Sequence, residues 1–164
     1  MGIEYNVLAP GPVNLHPRVQ EALALPMIHH RTPEFDRILA RVLTRLKSVF
    51  QTSQPVFILS STGSGGMEAA LVNCLEKGDL VLGIDSGKFG ERWCEMVETF
   101  GGKLERLQVE WGKAVDPQAV DAFLQKHPET KIVMTQACET SSGVVHPIEA
   151  LGKIVHKYPS TLFL

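Results

Sequence analysis

The sequence predicts an α/β fold, a mostly parallel sheet with helices on both faces. Two observations indicate this fold class. From residue 55 onwards, short apolar runs alternate with segments of helical periodicity, as in repeated strand–helix–strand units. The chain is also 44% hydrophobic and only 21% charged, so it can bury a core against both faces of such a sheet.

The N-terminal part predicts an arm followed by two helices. Residues 8–17 (LAPGPVNLHP) are rich in proline and predict an extended arm. A first helical pattern covers about residues 17–24. A second begins at Thr32, a good N-cap that is followed by Pro33 at the first helical position.

The remainder predicts alternating strands and helices. The strand-like runs are 56–60, 80–84, 104–109, 131–136 and 161–164. The helical patterns between them cover about 67–75, 93–100, 116–124 and 147–155. Ligands of such sheets bind beyond the carboxyl ends of the strands, so each strand-to-helix turn is a candidate site. The last run, TLFL, stops in an apolar strand, and we expect the chain to be the front part of a longer protein.

Composition excludes several function classes. With 16 basic and 18 acidic residues the net charge is −2, so the sequence lacks the excess of positive charge that is typical of nucleic-acid-binding proteins. The sequence shows no secretory signal and no apolar stretch of membrane-spanning length, so no membrane partner is expected. Cys74, Cys94 and Cys138 are too far apart for a metal site and indicate reduced thiols in a cytoplasmic protein. We expect Cys138 to be buried and inert.

The first strand-to-helix turn, within ILSSTGSGGMEAALVN (58–73), predicts a phosphate site. Gly63 permits a tight turn, the amides at a helix start favour an anion, and Thr62 and Ser64 add hydroxyl donors. The turn itself holds no basic residue, which indicates a modest anion contact. The common nucleotide-binding motifs do not match, since Glu68 replaces a required glycine and a P-loop lysine is absent. A simple capped connection is the alternative.

Five segments together resemble the class V aminotransferases, the pyridoxal phosphate enzymes that include alanine–glyoxylate and serine–pyruvate aminotransferases. They are APGPVNLHPRVQEAL, HHRTPEF, STGSGGMEAALVNCLEKGD, GKFGERW and ETSSGVVHPIEALGKI, in family order and with family-like spacing. The segments GKFGERW and VEWGKAVDP are most similar to those of the aminotransferase-like soluble hydrogenase subunits, one branch of this family.

The resemblance implies a binding site for pyridoxal 5′-phosphate. Thr62, Gly63 and Ser64 would bind the cofactor phosphate, in agreement with the chemistry of the turn. Phe89 would stack on the pyridine ring, and the hydroxyl of Thr140 would meet the ring oxygen. A core aromatic and a capped turn are the respective alternatives for these two. The neighbours expected only to shape the loop are Glu139, Ser141 and Ser142.

Two residues near the N-terminus resemble the segments that approach the substrate. Gly11 lies in the arm that would meet the substrate carboxylate, and Arg31 would approach the site, across a dimer interface in one reading. A surface charge before the Thr32 cap is an equally good interpretation of Arg31.

The resemblance places the catalytic groups elsewhere. The lysine that forms the Schiff base and the aspartate that pairs with the pyridine nitrogen are expected beyond Leu164, so no residue present is assigned a catalytic role. Residues 1–54 are interpreted as an N-terminal arm and helices and 55–164 as an incomplete cofactor-binding large domain, with the C-terminal small domain absent. Because the last strand is cut, we expect a homodimer or a missing C-terminal portion as partner.

Three functions are considered. The first is the N-terminal portion of an aminotransferase that moves an amino group between a small amino acid and a 2-oxo acid, of the alanine or serine to glyoxylate or pyruvate type. This portion is expected to be inactive alone. The second is a non-catalytic subunit or binding module related to the hydrogenase subunits. The third, a hydrolase that uses Ser64, is disfavoured because the nucleophile elbow is imperfect.

Overall fold

The computed structural model describes residues 7, 9 and 11–164, in two compact units, Met1–Ser60 and Ser61–Leu164. The first unit contains α1 (Pro17–Leu23) and α2 (Pro33–Val49). Thr32 caps α2 by accepting the amide of Phe35 at 3.3 Å, which confirms the predicted helix start. Of the proline-rich arm, Leu8 and Pro10 lie outside the described residues.

The second unit holds a four-stranded sheet in the order β2-β1-β3-β6, and every pair in it is parallel. Its elements are, in chain order, α3 (Gly63–Val72), β1 (Leu80–Asp85), α4 (Lys88–Thr99), β2 (Lys103–Gln108), α5 (Pro117–Lys126), β3 (Ile132–Met134), β4 (Cys138–Glu139), β5 (Val144–Val145), α6 (Ile148–Val155) and β6 (Leu162–Phe163). The predicted α/β class with parallel strands is therefore confirmed. The short antiparallel hairpin of β4 and β5 was not predicted.

Helices cover both faces of this sheet, because successive strand residues point to opposite sides. Leu82 and Val133 point to the face covered by α5 and α6, whereas Val81 and Ile132 point to the face covered by α3 and α4. The helix residues that complete the first core are Val120, Leu124, Leu151 and Val155. Those that complete the second are Leu71, Trp93 and Val97.

The prediction of a strand at residues 56–60 is wrong. The segment has no regular structure, and Phe57, Ile58 and Leu59 are 83, 56 and 54% exposed. An apolar run becomes a strand only when its backbone groups find a partner, and no strand in the described ranges pairs with it. β2 is an edge strand in which only Leu104 and Leu107 are partly buried, one against each of the two cores.

The carboxyl ends of β1 and β3 lie at the same edge of the sheet because the two strands are parallel neighbours. α4 begins three residues after β1, at Lys88, and the β4–β5 hairpin follows β3. Both segments that carry predicted ring-binding residues therefore start from this edge. Among the described helices, none combines the length and apolar character needed to cross a bilayer.

Candidate functional site

The predicted phosphate turn lies at the start of α3. Thr62 is the N-cap, and its hydroxyl oxygen accepts the amide of Gly65 at 3.4 Å. Gly63 and Ser64 are the first two helical residues, and in the described part of the chain their amides donate to no protein acceptor. The turn thus presents two unpaired N–H groups and two hydroxyls at the positive end of a helix.

A cation reaches this turn from another helix. Nη1 of Arg92, in α4, donates to Oγ of Ser64 at 2.8 Å, and its Cζ lies 5.5 Å from the ring centre of Phe89. The turn itself holds no basic residue, but a positive charge is supplied by a residue 28 positions away in the chain. The signal available in the sequence was the helical spacing of three between Phe89 and Arg92, which places both on one face of α4.

The start of α4 has an unusual cap. Its N-cap residue, Gly87, has no side chain, and the cap comes from the loop that begins at β4. The three hydrogen bonds are Lys88 N to Ser141 Oγ (3.0 Å), Phe89 N to Glu139 Oε1 (3.4 Å) and Gly90 N to Glu139 Oε2 (3.0 Å). A Cβ on Gly87 would lie 2.5 Å from Ser141 Oγ, so the glycine makes room for this cap.

Glu139 is the centre of the cap. It is fully buried, and its Oε1 also accepts the amide of Ser141 at 3.2 Å and its hydroxyl at 2.6 Å. Burial opposes ionisation, but the hydrogen bonds from Ser141, Gly90 and Phe89 outweigh it and lower the pKa of Glu139 below its ordinary value. The carboxylate therefore remains charged, and the expectation that Glu139 and Ser141 shape this loop is confirmed.

Thr140 lies between these two residues of the cap and is exposed. Phe89 lies at the second position of α4 and is partly buried. Glu139 joins the two segments, since it precedes Thr140 in the chain and accepts the amide of Phe89. The predicted ring-binding residues are therefore fixed relative to each other, and Arg92 links Phe89 to the phosphate turn.

Gly11 and Arg31, the predicted substrate residues, belong to the first compact unit. Both are exposed, and the amide of Arg31 donates to Nδ1 of His29 at 3.1 Å. Their roles toward a substrate remain predictions.

Cys138 is exposed, so the expectation of a buried thiol is wrong. It forms β4 together with Glu139, and consecutive strand residues point to opposite sides. The inward position is taken by Glu139, which leaves the thiol on the outer side.

A buried serine–histidine pair lies beside this region but does not form a nucleophile–base pair. Nδ1 of His146 accepts the amide of Val115 at 3.1 Å, so the proton of the neutral ring is on Nε2. Nε2 therefore donates to Oγ of Ser86, 2.8 Å away, and has no lone pair with which to take the serine proton. Ser64, the predicted hydrolase nucleophile, accepts from Arg92 instead of facing a base.

We expect the free energy of unfolding to fall in acid because of His146. Burial lowers its pKa from 6.5, although the nearby Glu139 carboxylate acts in the opposite direction. The unfolded state then binds the proton more readily, so the contribution of neutral His146 is complete above about pH 6.5 and is lost as the pH falls through the folded-state pKa. Urea unfolding at pH 7.5 and pH 5 should show this fall, and it should be smaller in His146→Asn. An equal pH dependence in both proteins would contradict it.

The arrangement matches a known family in both sequence and structure. The model of the family described as aminotransferase class-V matches residues 18–164. This chain belongs to the class V aminotransferases. An uncharacterised aminotransferase of Methanocaldococcus jannaschii is 38% identical over 93% of this chain and 40% of its own length. The soluble hydrogenase 42 kDa subunit of Anabaena cylindrica is 36% identical, over 96% of this chain and 42% of its own length.

A solved structure shares this fold over nearly the whole chain. Ureidoglycine–glyoxylate aminotransferase from Bacillus subtilis superposes with a TM-score of 0.90 and 30% identity, over 99% of this chain and 42% of its own. The chain thus spans about two fifths of the length of the class V relatives that it matches.

Proposed function

We propose that the chain is the N-terminal portion of a pyridoxal phosphate-dependent aminotransferase. In this proposal it binds the cofactor and contributes to moving an amino group between a small amino acid and a 2-oxo acid. Class V aminotransferases are pyridoxal phosphate enzymes, and the Bacillus subtilis relative is named for an amino-group transfer that involves glyoxylate, a small 2-oxo acid. Three reduced cysteines favour a cytoplasmic location.

The observation that carries the proposal is the set of donors around the start of α3. Two unpaired amides, the hydroxyls of Thr62 and Ser64, and the guanidinium of Arg92 are all hydrogen-bond donors. This chemistry fits a phosphate dianion. A second observation agrees with a polar ligand at the same edge of the sheet, since both amide atoms of Gln136 are buried without a partner among the described residues.

The described residues account for binding and orientation. Thr62, Gly63, Ser64 and Arg92 hold the phosphate, Phe89 offers a flat face to the ring, and Thr140 offers a hydroxyl to the ring oxygen. Pyridoxal phosphate, when bound, supplies an electron sink for the amino-group transfer.

For the domain bounds and for the groups beyond Leu164, the proposal relies on the similarity to the class V aminotransferases. Residues 1–54 are the N-terminal arm and helices, and 55–164 are part of the cofactor-binding domain. The rest of the protein supplies the lysine, the carboxylate for the ring nitrogen and the small C-terminal domain. A second copy of the chain, as a homodimer, completes the assembly.

Titration with pyridoxamine 5′-phosphate tests the cofactor site, because this form of the cofactor binds without a lysine. Calorimetry should show binding to the 164-residue chain, and pyridoxamine without the phosphate should bind at least about tenfold more weakly, since it loses hydrogen bonds to a charged group. Equal affinity for the two compounds, or no binding of either, would refute the proposed phosphate site.

Activity assays test whether transamination requires the residues after Leu164. The 164-residue chain with alanine, glyoxylate and pyridoxal phosphate should form no pyruvate, whereas a longer protein with the residues after Leu164 should form it. Turnover by the short chain would show that the lysine has been assigned wrongly.

The similarity to a hydrogenase subunit favours a second candidate, a module that binds the cofactor without catalysis. It predicts the same binding of pyridoxamine 5′-phosphate but no transamination by the longer protein. Pyruvate formation by that protein would exclude it.

A further inference from the structure

We infer that Glu139 is a positioning residue that sets the distance between the ring-stacking face of Phe89 and the hydroxyl of Thr140, and so the fit of a flat aromatic cofactor. This inference rests on the proposed function and names a residue whose side chain is fully buried and that would act through Phe89 and Thr140. The observation that supports the inference is the set of hydrogen bonds made by the buried carboxylate of Glu139.

Glu139 is placed so that both of its oxygens are used. Oε2 accepts the amide of Gly90 at 3.0 Å, while Oε1 accepts the amide of Phe89 at 3.4 Å and both donors of Ser141. A carboxylate is the one side-chain group of this size that only accepts hydrogen bonds. All four donors point at it, so a group that carries its own N–H would face a donor on at least one side.

The two segments that Glu139 joins lie far apart in the chain. The bonds to Phe89 and Gly90 span 50 and 49 residues, and the bond from the Lys88 amide to Ser141 spans 53. No side chain of α4 caps its own first turn. The direction of α4 at its start, and with it the place of Phe89, is therefore set by the loop that also carries Thr140.

A tight fit around Gly87 reinforces this coupling. A Cβ there would lie 2.7 Å from Cδ and Cγ of Glu139 and 2.5 Å from Oγ of Ser141. The carboxyl group thus contacts the backbone of the helix start directly, with no spare space between the two segments. A shift of the Glu139 side chain is transmitted to both ring-binding residues.

The test compares binding of pyridoxamine 5′-phosphate with binding of inorganic phosphate in Glu139→Gln. The amide keeps the size of the side chain but places an N–H₂ against the donors of α4. We expect affinity for pyridoxamine 5′-phosphate to fall about tenfold. Affinity for inorganic phosphate should change less than about twofold, because Thr62 to Ser64 lie on α3 and Arg92 lies in α4 beyond the amides that Glu139 caps. Glu149→Gln on α6 removes the same charge from an exposed site and is the matched control.

Amide hydrogen exchange provides a readout that does not depend on the cofactor. In Glu139→Gln the amides of Phe89 and Gly90 should exchange faster than in the unaltered protein, while those of β1 should not change. Ser141→Ala is the second variant, in case the first does not fold. It removes the hydroxyl that donates to Glu139 and accepts the amide of Lys88, while the backbone amide of residue 141 is kept. It should shift the same amides and the same ratio of affinities to a smaller extent.

The outcomes separate the two proposals. If the unaltered protein does not bind pyridoxamine 5′-phosphate, the proposed function fails and the positioning role fails with it. If the unaltered protein binds it and Glu139→Gln binds it equally well, the role of Glu139 alone is refuted. Parallel losses of both affinities would also refute that role, because they would indicate a general loss of structure.

Discussion

Gly90→Ala is expected to lower the free energy of unfolding by about 3 kcal/mol, the upper end of the range for overpacked sites. A Cβ at this position would lie 2.6 Å from the carbonyl oxygen of Ile84 and 3.0 Å from Cα of Asp85. Both atoms belong to the backbone of β1, so neither can move aside as a flexible side chain would. The start of α4 would have to leave the strand, and the amide of residue 90 would move away from Glu139.

Urea unfolding of Gly90→Ala and Gly66→Ala provides the measurement and its control. Gly66 is also helical, in the first turns of α3, but a Cβ there would meet no atom within 4 Å. Alanine at position 66 should therefore raise the free energy of unfolding by about 0.5–1 kcal/mol through its better helix propensity. Equal stability of the two variants would show that Gly90 does not lie against β1.

Arg92→Ala is expected to weaken binding of inorganic phosphate and of pyridoxamine 5′-phosphate about tenfold each. This is the lower end of the effect of one hydrogen bond to a charged group, because Arg92 is exposed and solvent screens its charge. The phosphate affinity of Arg92→Lys should lie between those of the unaltered protein and Arg92→Ala, since an ammonium keeps the charge but not the planar fork.

Lys153→Ala is the control for net charge. It removes one positive charge from α6, where Lys153 pairs with Glu149. Calorimetric titrations at one ionic strength should show phosphate binding close to that of the unaltered protein. Phosphate binding by Arg92→Ala that matches the control would contradict the place given to the guanidinium at the turn.

Helix starts with local caps were predictable from the sequence because the signal and its partner lie within a few residues. Thr32, Thr62 and Asp116 each accept an amide two or three positions ahead. The helices after Thr32 and Asp116 begin where expected, whereas α3 begins at Gly63, four residues before the predicted pattern. The apolar periodicity likewise predicted the parallel strands that bury both faces.

The features that were missed depend on partners distant in the chain. Residues 56–60 have the composition of a strand, but pairing decides whether a strand forms. The residues that cap α4 lie about fifty positions later in the chain, so no capping residue near Gly87 indicates where this helix begins. Arg92 was missed for the same reason, because its contact with Ser64 brings together two separate helices. The candidate residues of the site could therefore be named from the sequence, but not the groups that hold them in place.

The distant cap of α4 has a consequence for synthesis of the protein. On the ribosome, Lys88, Phe89 and Gly90 emerge about fifty residues before Ser141, so the growing polypeptide holds three amides without their acceptors. Contacts of long sequence separation form late because a large loop must close first. The first turn of α4 is therefore completed only when the hairpin has been synthesised, so this edge of the sheet becomes ordered only after α4 and β2 have left the ribosome.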